Sequence, residues 1–211
     1  MILDIFKKVP RKVGIAFSGG IDSVALLHAL LARNIDVTLY TFDHGTVTSD
    51  QELEFANATA RQYSLSLETA RGTQCPVGAS KEHWWSRQRN EWFQSAGAPI
   101  ATGHHLQDAA EWYLMTALTG QGGYIMDYKN NNVCRPLLCV SKEHIVQYAE
   151  SNNLQYISDP TNSDITFNKR NKVRARLLPA VLEVNPGFLN TIKRRIIQRE
   201  RAVAQEIRFA V

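Results

Sequence analysis

Little in this chain suits the cell exterior or a membrane. Its three cysteines, Cys75, Cys134 and Cys139, form no C-x-x-C pair, which argues against a disulfide framework or a zinc ribbon and leaves free thiols as the simplest expectation. No apolar run reaches the roughly 18 residues of a membrane span. The opening MILDIFKKVPRK places apolar residues before its cations, the reverse of a signal peptide. A cytoplasmic protein with no membrane contact is expected. Repeats, low-complexity tracts and a convincing linker are also missing. With 211 residues, 44% hydrophobic and 21% charged, the chain has material for one α/β domain of ordinary size with a small appendage.

The stretch Val13 to Ser23 reads VGIAFSGGIDS: a buried strand, a glycine turn, then an apolar-periodic run through Leu31 that predicts a helix. Such a turn presents unpaired N–H groups at the positive end of a helix, and its glycines let backbone close around an anion. It is a phosphate cradle without the Gly-Lys-Ser/Thr ending of a Walker A loop. Asp22 and Ser23 stand there instead. A carboxylate beside a polyphosphate repels it unless a divalent cation lies between, so Asp22 implies a Mg²⁺ bridge. The plainer alternative is a simple turn with Ser18 or Asp22 as the helix N-cap.

Val37 to Phe42 reads as a second strand that delivers Asp43 and His44 to its carboxyl end, where doubly wound sheets bind ligands. Ser49-Asp50-Gln51-Glu52 is a capping box that starts a helix to about Tyr63, and Ser64 to Thr69 predicts a strand nearer an edge. Lys81 to Ala96 predicts a helix with Trp84, Trp85, Trp92 and Phe93 on one stripe, more often core than a stacking platform. Arg87 and Arg89 lie off that stripe as candidates for phosphate contact. After a short strand at residues 99–102, His104, Asp108 and Glu111 have the i, i+4, i+7 spacing of one helix face. That face suits Mg²⁺ or a substrate amine better than zinc, since no third nitrogen or thiolate accompanies it; a histidine bonded within its own helix is the plainer alternative.

Gly120 to Asn132 reads as a loop, Ser141 to Ser151 as a helix, and Tyr156 to Asn162 as a turn-rich element. Asn168 to Val184 predicts one basic helix with Val173, Leu177, Leu178 and Leu182 on its apolar side. A last helix after Pro186-Gly187 turns Ile192, Ile196, Ile197 and Val203 inward. The net charge is only +4, but KRNKVRAR at 169–176 and KRRIIQRER at 193–201 concentrate cations late in the chain. That pattern points to a polyanionic partner, or to a solvated helix face.

SGGIDS resembles the signature of the ATP pyrophosphatase, or PP-loop, superfamily. With Asp43-His44, ATGHH and its later Asp and Glu, RPLL, and DPTN…KRNKVRARLLPAV…NPGF, the chain resembles the tRNA(Ile)-lysidine synthetase family from about residue 12 to about 190. The resemblance implies an adenine nucleotide alpha hydrolase-like fold: an α/β doubly wound parallel sheet with a C-terminal helical extension. Residues 1–135 would form the ATP-binding catalytic domain, and 136–211 a basic helical part packed on it. It would be the catalytic domain nearly alone. The implied reaction adenylates C2 of the wobble cytidine in the CAU anticodon of a minor isoleucine tRNA, releases diphosphate and joins L-lysine. ATP and Mg²⁺ are the implied cofactors.

By the same resemblance, Ser18, Gly19, Gly20, Ile21, Asp22, Ser23, Phe42, Asp43, His44 and Gly103 bind ATP. Asp22, His104, Asp108 and Glu111 are catalytic, with Asp22 and Asp108 on the metal. Arg87, Arg89, Arg135, Lys169, Arg170, Lys172, Arg174 and Arg176 bind tRNA. Gln107, Ala109 and Trp112 stand where the family pattern has Asp, Gln and Thr, so one negative charge is missing. Two other readings are a PP-loop relative that thiolates a tRNA base, which needs paired cysteines, and a non-catalytic tRNA-binding protein of the same fold. A small-molecule amide-forming ligase fits the basic C-terminal quarter poorly. A homodimer is left open.

Overall fold

The computed structural model describes residues 2–45, 49–158 and 169–209. Asp159 to Asn162 of the expected turn, and Asn168, lie outside them. At the centre is β1 (Lys12–Ala16), whose Val13 and Ile15 are fully buried. It pairs in parallel with β2 (Asp36–Asp43) on one side and with β4 (Ile100–Ala101) on the other. Beyond β2 lies β3 (Ser66–Arg71), also parallel; none of its residues is buried, as befits an edge. Beyond β4 come β6 (Val133–Cys134), parallel, and β5 (Lys129–Asn130), antiparallel. The sheet order is β3-β2-β1-β4-β6-β5, so the connections leave β1 and β4 in opposite directions and open a crevice at their carboxyl ends.

The intervening helices are α1 (Ile21–Leu31), α2 (Ser49–Tyr63), α3 (Lys81–Ser95), α4 (Leu106–Leu118) and α5 (Lys142–Ser151). Helix α1 is apolar around most of its girth, and Ala25, Leu26, Leu27, Ala29 and Leu30 are all buried. Its His28 Nδ1 lies 2.7 Å from the Tyr148 hydroxyl of α5. Gly14 makes the sheet's centre possible: a Cβ there would fall 2.4 Å from Ile100 Cδ1 and 2.7 Å from the Tyr40 ring. Of the aromatic stripe on α3 only Phe93 is buried; Trp92 packs half-exposed on Tyr40 and Phe42.

The basic segment is not one regular helix. It runs as α6 (Lys169–Lys172), a π-helical turn over Val173–Leu177, and α7 (Leu178–Val184). The Leu178 N–H reaches back five residues to the Val173 carbonyl. Pro179 has no N–H for the Ala175 carbonyl, and a widened turn before it accommodates the missing bond. Helix α8 (Phe188–Phe209) buries Ile192 and Ile196 completely, but Val203 is 40% exposed, not inward as its spacing suggested. Leu137, Ile145, Leu178 and Ile192 belong to the same hydrophobic cluster as Val13 and Leu26. Among the described residues no helix is long and apolar enough to cross a membrane.

Because that cluster joins both parts of the chain, Ile192→Ala should lower stability by about 2–5 kcal/mol in a single calorimetric transition. Two separate transitions would show that the C-terminal helices fold independently.

Candidate active site

Helix α1 begins without a side-chain cap. Gly20 holds the N-cap position in extended conformation, and neither Ser18 nor Asp22 accepts from the first turn. The first-turn N–H groups therefore face the crevice as a positive helix end ready for an anion. Ser23 Oγ donates to the Gly20 carbonyl at 2.8 Å, closing the turn from beneath. Gly19 has φ +75°, and a Cβ there would lie 2.5 Å from Ile157 and 2.9 Å from Phe55. Ile157 in turn donates its N–H to the Gly19 carbonyl at 2.9 Å.

The exit of β4 closes the other side. A Cβ on Gly103 would come within 3.1 Å of the Asp22 backbone, so the two strand exits touch through a glycine. The helical spacing expected of His104, Asp108 and Glu111 does not hold, because α4 starts only at Leu106. His105 is the N-cap, and its N–H donates to Asp108 Oδ2 at 2.9 Å. It is His105 that bridges the site: its Nε2 lies 3.5 Å from Asp108 Oδ2 and 3.9 Å from Asp22 Oδ1. His104 turns to Thr102, with 2.7 Å between Nδ1 and Oγ1. Burial, with Arg135, Arg170 and Arg89 nearby, outweighs the attraction of Asp108 and lowers its pKa to about 3, so the imidazole is neutral at pH 7.

Glu111 is 1% exposed and Asp108 is also buried. Two arginines meet them: Arg174 Nε donates to Glu111 Oε1 at 2.7 Å, Arg170 Nε to Glu111 Oε2 at 2.9 Å, and both guanidiniums reach Asp108 Oδ1. A lone carboxylate this deep would cost several kcal/mol, and the paired guanidiniums offset it. Burial pushes the Asp108 carboxyl up, but His105, Arg170, His104 and the His105 N–H outweigh it and bring it down to about 2. Helix α6 and the π-helical turn after it place Arg170 and Arg174 together over α4. Two residues expected to bind tRNA thus hold two expected to be catalytic.

These parts line one cleft of about 1380 Å³, with Phe42, His44, Arg89 and Arg135 on its walls. His44 meets Phe42 edge-on and Trp85 at a tilt, with ring centroids 5.0 and 5.8 Å apart. Asp43 turns aside to the Gly45 N–H at 2.6 Å and to Arg71. Half-buried Arg89 makes no hydrogen bond or ion pair with any described residue, and burial beside Arg170 holds its pKa below the usual arginine range. Arg135 donates to the Asp127 carbonyl at 2.8 Å and leaves a buried Nε unpartnered. Arg87 is spent on Glu91 at the surface. Lys169, Lys172 and Arg176 are exposed.

Sequence reading missed Lys142 and Glu143. Gln107, the departure from the acidic pattern, accepts the Lys142 N–H at 2.9 Å and donates to both Glu143 oxygens. Lys142 Nζ sits 2.6 Å from Asp22 Oδ1. No local pattern marks that pair, which is 120 residues apart. As a metal ligand Asp108 does not fit, because Arg170, Arg174 and the His105 N–H occupy both its oxygens. Among the described residues no three His, Cys, Asp or Glu side chains are grouped to hold a metal ion. Asp22 alone fits Mg²⁺ carried in on phosphates, since such ions take one or two carboxylates and keep substrate oxygens as ligands.

A family profile described as a PP-loop domain matches residues 2–181. A tRNA(Ile)-lysidine synthase of Francisella tularensis subsp. novicida is 32% identical over 210 residues, covering 92% of this chain and 52% of its own length. One of Geobacter sulfurreducens is 30% identical over 203 residues, covering 87% and 43%. The chain thus spans about half the length of the curated relatives it matches. Among solved structures, NMN synthetase from Francisella tularensis has a TM-score of 0.52 at 13% identity, covering 87% of this chain and 84% of its own, a likeness of fold alone.

His104 carries a pH consequence. Unfolded, it takes up a proton near its ordinary pKa of 6.5; folded, it does so only at about 3. Acid therefore favours the unfolded chain across that interval, and stability falls as pH drops from 6.5 toward 3. His104→Asn should flatten the slope of urea midpoint against pH between 7 and 4.5; an unchanged slope would show that the folded imidazole titrates normally.

Proposed function

The chain belongs to the PP-loop domain family, and from that premise we propose that it is the catalytic part of an ATP-dependent tRNA-modifying ligase of the lysidine-forming type, acting in the cytoplasm. The observation that carries the reading is the uncapped start of α1, with Asp22, in one cleft with Arg89, which pairs with no described residue. One end of the cleft suits a polyphosphate and the other an RNA phosphate.

In the proposed reaction the C2 oxygen of a wobble cytidine attacks the α-phosphorus of ATP, and pyrophosphate leaves into the loop of Ser18 to Ser23. The amine of lysine then attacks C2, AMP departs with the oxygen, and the amine loses a proton. The loop N–H groups hold the leaving pyrophosphate, where charge accumulates. Phe42 and His44, which line the cleft, are the aromatic side chains against which the base would pack. Asp22 would hold Mg²⁺ brought in with ATP, and that ion would offset phosphate charge. Neutral His104 is held on the Thr102 hydroxyl, and His105 is the imidazole beside the acids.

Arg89, Arg135 and the exposed Lys169, Lys172 and Arg176 form the proposed RNA track. Arg170 and Arg174 border it while tied to α4. A lysine ammonium enters the Asp108–Glu111 patch only by displacing a guanidinium, and RNA phosphates are the ligand suited to draw one away. A thiolating relative is disfavoured because Cys134 and Cys139 are buried, and burial pushes the Cys139 thiol up to about 11, which leaves little reactive thiolate.

With tRNA present, the protein should exchange labelled pyrophosphate into ATP, and Asp22→Ala should reduce the rate by about a hundredfold or more. Mass spectrometry of nucleosides from tRNA incubated with ATP and labelled lysine should show cytidine carrying lysine; exchange without that product would remove lysine as the second substrate. Arg89→Glu should weaken tRNA binding and lower the slope of log affinity on log salt by about 1. An unchanged slope would take Arg89 out of the interface.

A further inference from the structure

The glycine loop lacks the lysine that a Walker A loop carries in its own sequence, yet a lysine stands beside it. Lys142, the first residue of α5, places Nζ 2.6 Å from Asp22 Oδ1 and lines the same cleft as Ser18, Gly20 and Ser23. Its backbone is anchored, because its N–H bonds the Gln107 carbonyl oxygen at 2.9 Å while the Gln107 amide holds Glu143 at 3.0 and 3.1 Å. Only the flexible side chain is at liberty to move. Gln107 does here what an aspartate could not: it accepts from one residue of the α5 start and donates to the next.

We infer that Lys142 is the phosphate-gripping cation of this site, resting on Asp22 in the free protein and turning to the β- and γ-phosphates when a nucleotide enters. The inference rests on the loop's being the ATP site. The ammonium has three donors on a four-carbon stem, and a short swing carries it from the Asp22 carboxylate to the anion held by the α1 start. Asp22 would also be the residue to hold Mg²⁺ brought in with the nucleotide. The side chains are 35% and 32% exposed, and ion pairs so placed contribute little to stability. A purely structural staple is thus a weak account of a lysine held in the mouth of an anion site.

The test is calorimetric titration of the full chain with ATP and with AMP, each with Mg²⁺, for the wild type, Lys142→Met and Lys142→Arg, alongside thermal denaturation. Lys142→Met should weaken ATP by about tenfold, the worth of one charge-assisted hydrogen bond, and AMP by no more than about twofold because AMP lacks the β- and γ-phosphates. Lys142→Arg should recover most of the ATP affinity. The inference is overturned if ATP affinity is unchanged in Lys142→Met, or if ATP and AMP weaken equally, as a staple that merely shapes the loop would produce. A wild type that fails to bind ATP would overturn the assignment of the loop itself, a result distinct from either.

Discussion

The site exists because two strand exits come into contact where the sheet's winding reverses. Gly103 supports that approach: a side chain there would press within 3.1 Å of the Asp22 backbone and push the exit of β4 away from the start of α1. Parallel pairing of β1 with β4 sets the register, Gly14 against Ile100 and Ile15 against Ala101. Once the exits touch, the uncapped helix start, Asp22 and His105 share one space, and His105 spans the gap between Asp22 and Asp108.

A second constraint is electrostatic. Burying Glu111 and Asp108 is tolerable only with compensating charge, and the compensation comes from α6 and the π-helical turn behind it. The acids therefore decide where the basic segment lies. Arg170 and Arg174 are held over α4, and that places Lys169, Lys172 and Arg176 outward on the same short stretch. An interaction that stabilises the fold also sets one border of the proposed RNA track.

Polar asymmetry within the cleft follows from these two contacts. The α1 end offers backbone N–H groups with one carboxylate and one ammonium beside them. The cleft wall also carries Arg89, which pairs with no described residue, and the rings of Phe42 and His44. Burial lowers the pKa of both His44 and His104, which favours the neutral form of those two imidazoles.

What the sequence determined by itself is whatever is written in contiguous residues. Strand, glycine turn and helix lie within Val13 to Leu31, and the exposed N–H groups of that turn are a property of its own backbone. The helix Ser49–Tyr63 begins at its capping box and runs to the residue expected, and the cations of 169–176 are visible without coordinates. Tertiary structure alone decided the partners. Where α4 begins, and so whether His104 or His105 faces the acids, depends on Asp108 accepting the His105 N–H. Arg170 and Arg174 find Glu111 across 59 and 63 residues, and Lys142 finds Asp22 across 120. Such pairings follow from sheet order and from the cost of leaving a charge alone in a low-dielectric place, and neither is encoded in the local pattern of any segment.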